Sequence, residues 1–323
     1  MQKEKVYFLH PTKISEKKIY DTYCDNYNSI HYLFVEFQFS WLQQAYQSMK
    51  DLDKYNILVF LYKENFVELN ELFKLKTYNE FYLNPTFNLE KINIIQISKS
   101  LRISKETTRR KILELEEDGI LVKNKKSITV TLKAGLLQKP VNTINSFSKI
   151  LQHVSWLLYK EKNVNKHYEK EFFVNKIKER FTQVLAIFLE YQLDYLLTRK
   201  LLTNNNLETW FIVGCVLYNQ IMFLKKSEKK SHYKNEWIKE VLNFGSKRGI
   251  NAMSISDLTG IPRPTVIRKL KILLKQNDIY KDKDNLYYIK DGKLSSELNK
   301  KRLLNIKKLS AIISRINNII FFS

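Results

Sequence analysis

One pattern occurs twice in this chain, and it restricts the possible folds more than any other feature. Ile97 to Leu121 reads ISKSLRISKETTRRKILELEEDGIL, and Ile255 to Ile279 reads ISDLTGIPRPTVIRKLKILLKQNDI. Set side by side, Ile97 meets Ile255, Ile103 meets Ile261, Thr107 meets Thr265, Arg110 meets Arg268, Ile112 meets Leu270 and Leu115 meets Leu273. The apolar residues recur at three- and four-residue spacing, as one face of a helix requires. In the first copy, Gln96 to Leu101 reads as a short helix, Arg102 and Ile103 as a turn, and Lys105 to Asp118 as a second helix. Ser104 suits the cap between them, because its hydroxyl can accept from a free backbone N–H two or three residues on.

Two helices so joined make a helix-turn-helix, whose second helix enters the DNA major groove by its N-terminal part. Lys105, Glu106, Arg109 and Arg110 cluster at that end. An arginine can hold guanine O6 and N7 together, and a glutamate can accept from cytosine N4. Glu114, Glu116, Glu117 and Asp118 occupy the far end, where phosphate repels them least. Gly119 is expected to close the helix in a left-handed conformation. Ile120 to Val122 and Ser127 to Thr131 read as two short strands, with Lys123, Asn124, Lys125 and Lys126 between them. That turn is a wing, and Lys123, Lys125 and Lys126 suit a phosphate backbone. In the second copy Arg263 and Arg268 match Lys105 and Arg110, but Pro264 replaces Glu106. Proline is tolerated in a first helical turn. Thr265 and Lys269 complete the predicted contact set of the second copy, together with Ser104 in the first. The second wing, Lys281 to Asn285, carries no net charge and should attract phosphate less. The first copy is therefore expected to contribute more of the affinity.

The stretch ISKETTRRKILELEEDGIL followed by KNKKSITVT resembles the winged helix-turn-helix of the catabolite-activator (Crp/Fnr) family. That family presents a basic residue, a Glu, and an Arg four residues after the Glu; the matching positions are Lys105, Glu106 and Arg110. The resemblance implies sequence-specific DNA binding by these residues and covers about forty residues per copy. Upstream, nothing reads as the many short strands and glycine turns of that family's cyclic-nucleotide domain. The order of helices around each copy, and SITVTLKAG after the first, resemble MarR-type regulators, in which flanking helices build a dimer interface.

The repetition extends beyond the motif. FVEFQFSWL (Phe34 to Leu42) matches FLEYQLDYL (Phe188 to Leu196), pairing Glu36 with Glu190, Gln38 with Gln192 and Trp41 with Tyr195. DLDKYNILVFLYKEN (Asp51 to Asn65) matches NLETWFIVGCVLYNQ (Asn206 to Gln220), both helices with acidic starts. Glu36 and Glu190 read as solvated edge positions, with a matched contact across a pseudo-twofold interface as the alternative. Downstream, the stripe Phe147, Ile150, Leu151, Val154, Leu157, Leu158 recurs as Leu309, Ile312, Ile313, Ile316, Ile319, Ile320. The offset grows from 154 residues upstream to 162 downstream, as small loop insertions between two related modules would produce. Lys63 to Pro85 lacks periodicity and reads as a loop; Leu224 to Trp237 reads as a mobile, Lys-rich connector. The polar junction Lys160 to His167 marks the boundary. The expectation is a mainly α-helical tandem duplication. A first module would span 1-162 with its winged helix-turn-helix at about 92-132, and a second 163-323 with its own at about 250-290.

Composition narrows the function. The 323 residues carry a net charge of +22 and are 44% hydrophobic, enough for a core and suited to a polyanionic partner. A solvated basic surface is the plainer account of the same charge. Cys24 and Cys215 form no zinc spacing and fit a reducing compartment. His10, His31, His153, His167 and His232 show no metal-binding spacing. No phosphate-binding glycine loop occurs, and no Ser, His and acid arrangement stands out. Neither a metal, a cofactor nor an enzyme activity is expected. The start lacks an apolar signal-peptide core, and Trp210 to Leu224 reads as a buried helix, shorter than a membrane span. The chain is therefore expected to be cytoplasmic, bind double-stranded DNA rather than membrane, and regulate transcription as an internal pseudo-dimer. Its recognition helices would enter successive major grooves about one turn apart. The trailing stripes are further candidates for a homo-oligomer contact. Two rivals share these features: a plasmid-type replication initiator, which would prefer direct repeats, and a protein-interaction adaptor, whose binding would ignore salt.

Overall fold

The computed structural model describes residues 13–90, 92–137, 139–226, 237–245 and 247–322. The protein is mainly helical, with two small sheets among the described residues. The chain begins with α1 (Glu16–Asp25), α2 (Tyr27–Met49), α3 (Leu52–Glu71) and α4 (Tyr78–Leu83). Next come β1 (Phe87–Leu89), α5 (Ile94–Leu101), α6 (Lys105–Glu117), β2 (Leu121–Lys123), β3 (Ile128–Val130), α7 (Leu132–Leu137) and the trailing helix α8 (Val141–Lys160). The remainder is α9 (Lys170–Glu179), α10 (Phe181–Leu201), α11 (Leu207–Lys226), α12 (Trp237–Gly245), α13 (Ala252–Thr259), α14 (Arg263–Lys275), β4 (Ile279–Lys281), β5 (Tyr287–Ile289) and α15 (Lys293–Phe322).

At the heart of the frame, α10 and α11 are apolar nearly all round, which forces them inside. Helix α2 packs against α3, α8 and α11, and α10 packs against α3, α11 and α15. The N-terminal and trailing helices are exchanged: α1 lies along α15, and α9 lies along α8. Helices on both sides of the junction therefore share one hydrophobic core. Both trailing stripes are used inside the chain; every stripe residue is buried except Ile319, which is half-buried. Helix α11 runs for 20 residues, longer than its apolar run suggests, and is long and apolar enough to cross a membrane. Its residues Trp210, Phe211, Ile212, Val213, Cys215 and Val216 instead lie in the core.

At the centre, Gln38 and Gln192 bind each other reciprocally. Each Nε2–H donates to the other's Oε1 at 2.9 Å, and both side chains are buried. Aromatic rings surround them, with Phe34 edge-on to Tyr195 at 5.4 Å and Phe37 edge-on to Phe188 at 5.9 Å. Glu36 and Glu190 make no such mutual contact. Glu36 accepts from Lys225, and Glu190 is exposed. The matched polar contact is made two residues further along each helix.

One loop expectation needs correction. Residues 63–85 are largely helical: α3 continues to Glu71, and α4 opens with a capping box. There Thr77 Oγ1 accepts from the Glu80 N–H at 3.3 Å, and Glu80 Oε2 accepts from the Thr77 N–H at 2.7 Å. The connector predicted between Leu224 and Trp237 falls mostly outside the described residues, although α11 extends to Lys226.

Replacing Gln38 by Leu strands the Gln192 amide in an apolar core, and should destabilise the protein by about 1–3 kcal/mol. The double change Gln38→Leu with Gln192→Leu should recover most of that loss, because no polar group is then left unpaired. Urea unfolding of the two single variants and the double variant measures the coupling; additive losses would remove the pair's central role.

Candidate nucleic-acid interface

The two motif copies fold alike down to single hydrogen bonds. Helices α5 and α13 are each eight residues long, and α6 and α14 are each thirteen. Asn93 caps α5 by accepting from the Gln96 N–H at 3.0 Å, and Asn251 caps α13 from the Ser254 N–H at 2.8 Å. A left-handed residue breaks each pair, Arg102 with φ of 50° and Gly260 with φ of 72°. A serine then bridges the turn: Ser98 Oγ donates to the Ile103 carbonyl and Ser256 Oγ to the Ile261 carbonyl, both at 2.7 Å. Ile97, Ile103, Ile255 and Ile261 are buried beneath the turns.

The start of α6 is capped as the sequence predicts. Ser104 Oγ accepts from the Thr107 N–H at 3.1 Å and donates to Thr107 Oγ1 at 2.8 Å. Its hydroxyl therefore serves the helix first. Thr108, Ile112 and Leu115 are buried on the inner face. Lys105, Glu106, Arg109 and Arg110 are exposed. Loose ion pairs hold the arginines: Arg109 lies 4.0 Å from Glu106, and Arg110 lies 3.7 Å from Glu114. Pairs this exposed are weak and give way readily to a stronger anion.

The far end of α6 is tethered to the frame. Lys111 Nζ meets Asp51, the cap of α3, at 2.6 Å. Lys54 of α3 meets Asp118 at 2.8 Å and Glu114 at 3.7 Å. Glu116 accepts from the Lys123 N–H at 2.7 Å and so ties the helix to the wing. Three of the four distal acids thus hold structure, which spacing alone did not reveal. Gly119 takes the expected left-handed φ of 66°, matched by Asn277 at 63°.

The tether corrects one predicted contact. Lys269 is buried rather than presented outward. Its Nζ donates to Asn206 Oδ1 at 2.8 Å and Thr209 Oγ1 at 3.2 Å, with Glu208 at 3.5 Å. It matches Lys111, just as Asn206 matches Asp51. The exchange of a carboxylate for an amide shows in the titration of these lysines. Burial works against both charged forms. Hydrogen bonds that Lys111 donates to Asp51 and Glu114 outweigh it there, and the pKa is raised, whereas at Lys269 burial prevails and the pKa is lowered.

Arg263 and Arg268 are exposed, and Thr265 is half-buried. Pro262 precedes α14 without a side-chain cap. In the first wing, Lys123, Lys125 and Lys126 are exposed. Strand β3 pairs antiparallel with both β2 and β1, so the first wing is backed by a third strand that sequence reading did not find. Among the described residues the second wing has β4 and β5, plus a bridge from Ile250 to Tyr287. Its turn closes on itself: Asp282 accepts from the N–H groups of Asp284 and Leu286 and from the Tyr288 hydroxyl, each at 2.9 Å.

Lys99 and Arg102 are two exposed cations at the first turn that motif matching overlooked. Their matches are Asp257 and Gly260. Arg102 is notable because a left-handed backbone costs a non-glycine residue roughly 1 kcal/mol. Among the described residues, no group of three or more His, Cys, Asp or Glu is placed to hold a metal ion. No family model, curated protein or solved structure matches the chain.

The Asp51 carboxyl is subject to burial, which raises its pKa. Hydrogen bonds from Lys111 and from the Lys54 and Asp53 N–H groups outweigh this and hold it below the usual carboxylate range. A depressed carboxylate pKa contributes stability that is complete above its unfolded value and fades as pH falls through the folded one. Asp51→Asn, which keeps a competent cap, should destabilise by about 1 kcal/mol at neutral pH after allowance for solvent screening. The gap to wild type should narrow below about pH 4. Chemical unfolding at several pH values tests this; a gap that ignores pH would mean that charge plays no part in the tether.

Proposed function

We propose that this chain is a sequence-specific duplex DNA-binding protein that regulates transcription. It arose by tandem duplication, and it presents two winged helix-turn-helix readers as an internal pseudo-dimer in the cytoplasm. One observation carries the reading. In both copies the second motif helix is anchored through its middle to a frame helix, while its N-terminal end stands free with exposed arginines. A helix held in this way suits end-on insertion into a major groove. The reciprocal glutamines and exchanged end helices support the pseudo-dimer, because each recurs across the two halves.

In the proposed mechanism, Arg109 and Arg110 swap their loose carboxylate partners for base edges or phosphates. Glu106 is the acceptor available for a cytosine amine. Lys123, Lys125 and Lys126, with Lys99 and Arg102, neutralise the backbone and give a salt-dependent affinity. The second reader offers Arg263, Thr265 and Arg268 beside a self-closed wing. It contributes less affinity and reads its own half-site.

Selection from a random duplex library at physiological salt should enrich a two-part motif. Retention without enrichment, or no retention, would overturn the specific-regulator reading, and direct iterated repeats would favour a replication initiator. With the selected duplex, Arg110→Ala should cost about 1–3 kcal/mol of binding, and Arg268→Ala distinctly less. Equal losses would refute the asymmetry between readers. Arg102→Gly separates folding from binding. It relieves left-handed strain but frees the unfolded chain, so stability should hold within about 1 kcal/mol. Affinity should nevertheless fall, with the salt slope reduced by about one. Unchanged affinity would leave the Arg102 charge without a function.

A further inference from the structure

Two cavities of about 90 Å³ each lie within the helical frame, and their linings correspond. Where one has Tyr195, Trp210 and Gly214, the other has Trp41, Tyr55 and Val59. These pairs are 154 or 155 residues apart, the register of the upstream repeat. Chemically, however, the cavities have diverged. The first is lined by His31, Arg199 and Arg302. The same register places Leu185 and Ala45 opposite His31 and Arg199, and the register of the trailing stripes places Pro140 opposite Arg302. The second cavity has one cation in its lining, the exposed Lys139, whose ammonium lies 5.7 Å from the Tyr82 ring centroid.

Both arginines of the first cavity are buried, with Arg199 at 6% and Arg302 at 4% exposure. Arg199 stacks between Tyr195 and Trp210, its guanidinium carbon 4.9 and 5.4 Å from the ring centroids. Its Nε and Nη1 are buried without a hydrogen-bond partner. Arg302 lies 5.0 Å from Tyr27 and 5.6 Å from Trp237, and donates to Asn299 Oδ1 at 2.6 Å. Among the described residues the lining contains no Asp or Glu. Burying the Arg199 guanidinium with Nε and Nη1 unpartnered is costly, and stacking on rings offsets only part of that cost. His31 reports the same field: burial first, then Arg302 and Arg199, push its pKa well below the ordinary histidine value.

We propose that the first cavity is a binding site for a small organic carboxylate with a flat apolar body. The carboxylate meets the planar Arg199 guanidinium, which pairs with two oxygens through Nη2 together with one of its unpartnered nitrogens, Nε side-on or Nη1 end-on. The body lies among the rings of Phe34, Tyr195, Trp210 and Trp237. The volume suits a body of about one ring. Gly214 provides the space, because a Cβ built there would meet nothing within 4 Å, whereas Val59 fills the matching place in the second cavity. The site stands independently of the DNA-binding reading, since it rests on the buried arginine and the divergence of the two cavities.

The test uses the full chain without DNA, with benzoate as probe, and benzamide and inorganic phosphate as controls. Trp210 and Trp237 line the cavity, so tryptophan emission reads occupancy alongside thermal melting. Benzoate should change the emission saturably at millimolar concentration and raise the melting temperature, while benzamide and phosphate should do neither. Arg199→Met should weaken benzoate binding by roughly thirtyfold or more. Gly214→Val places a side chain in open space within a helix, so the protein should remain folded and yet no longer bind benzoate. No saturable response up to about 10 mM benzoate would overturn the proposal, given that a 1 mM dissociation constant is already weak. An equal response to benzamide, binding that survives both substitutions, or a response to phosphate alone would overturn it as well.

Discussion

The orientation of everything else depends on the buried amide pair of Gln38 and Gln192. Rings and aliphatic side chains surrounding it favour burial but tolerate sliding, because apolar contact has no direction. An amide in the same place does not tolerate sliding, since a shift of one turn leaves donors and acceptors unpaired at low dielectric. The reciprocal bonds at 2.9 Å therefore set the register of α2 against α10. Helices α3 and α11 follow that register through their packing on α10 and α2, and each carries a motif copy at its N-terminal end.

A second layer of polar contacts transmits this register to the motif helices. Lys111 reaches the cap of α3, and Lys269 reaches the cap of α11. Each lysine sits beside a residue that already satisfies free N–H groups at a helix start, so cap and tether support each other. Where the cap is Asp51, the tether is an ion pair. Where it is Asn206, the lysine relies on an amide, a hydroxyl and the more distant Glu208. The same geometry is thus reached with different electrostatics. Geometry is what the proposed reading helix requires, and charge near its base can vary.

Much of this was legible in the sequence, for definable reasons. The motif helices, the Ser104 cap and the Gly119 closure each rest on residues within a few positions of one another, where pattern and capping rules apply. The capping box at Thr77 and Glu80 is equally local, but the surrounding stretch lacks periodicity and so reads as a loop. Strand β1 has three residues and pairs with a partner about forty positions away, so no local signal could identify it. Lys269 shows a different limit. Its place in a basic helix suggests solvent or phosphate, and only the arrival of Asn206 and Thr209 from another helix reveals it as a buried tether. Gln38 and Gln192 align in the repeat, but alignment does not show that these amides, rather than the adjacent Glu36 and Glu190, are the buried pair.

Differences between the halves are more informative than their likeness. A frame with two related sites can keep the fold with both and commit chemistry to one. The first motif copy keeps Arg102 in a left-handed position where the second uses glycine, so a cation is retained against local backbone preference. The first cavity keeps two buried guanidinium groups where the repeat register places Ala45 and Pro140 in the other half. Neither feature is needed for packing, since the matching half packs without it. Strain and buried charge persist where surrounding structure stabilises them, and they concentrate at functional sites. By that physical criterion, the first turn and the first cavity are the places where this chain departs from what folding alone requires.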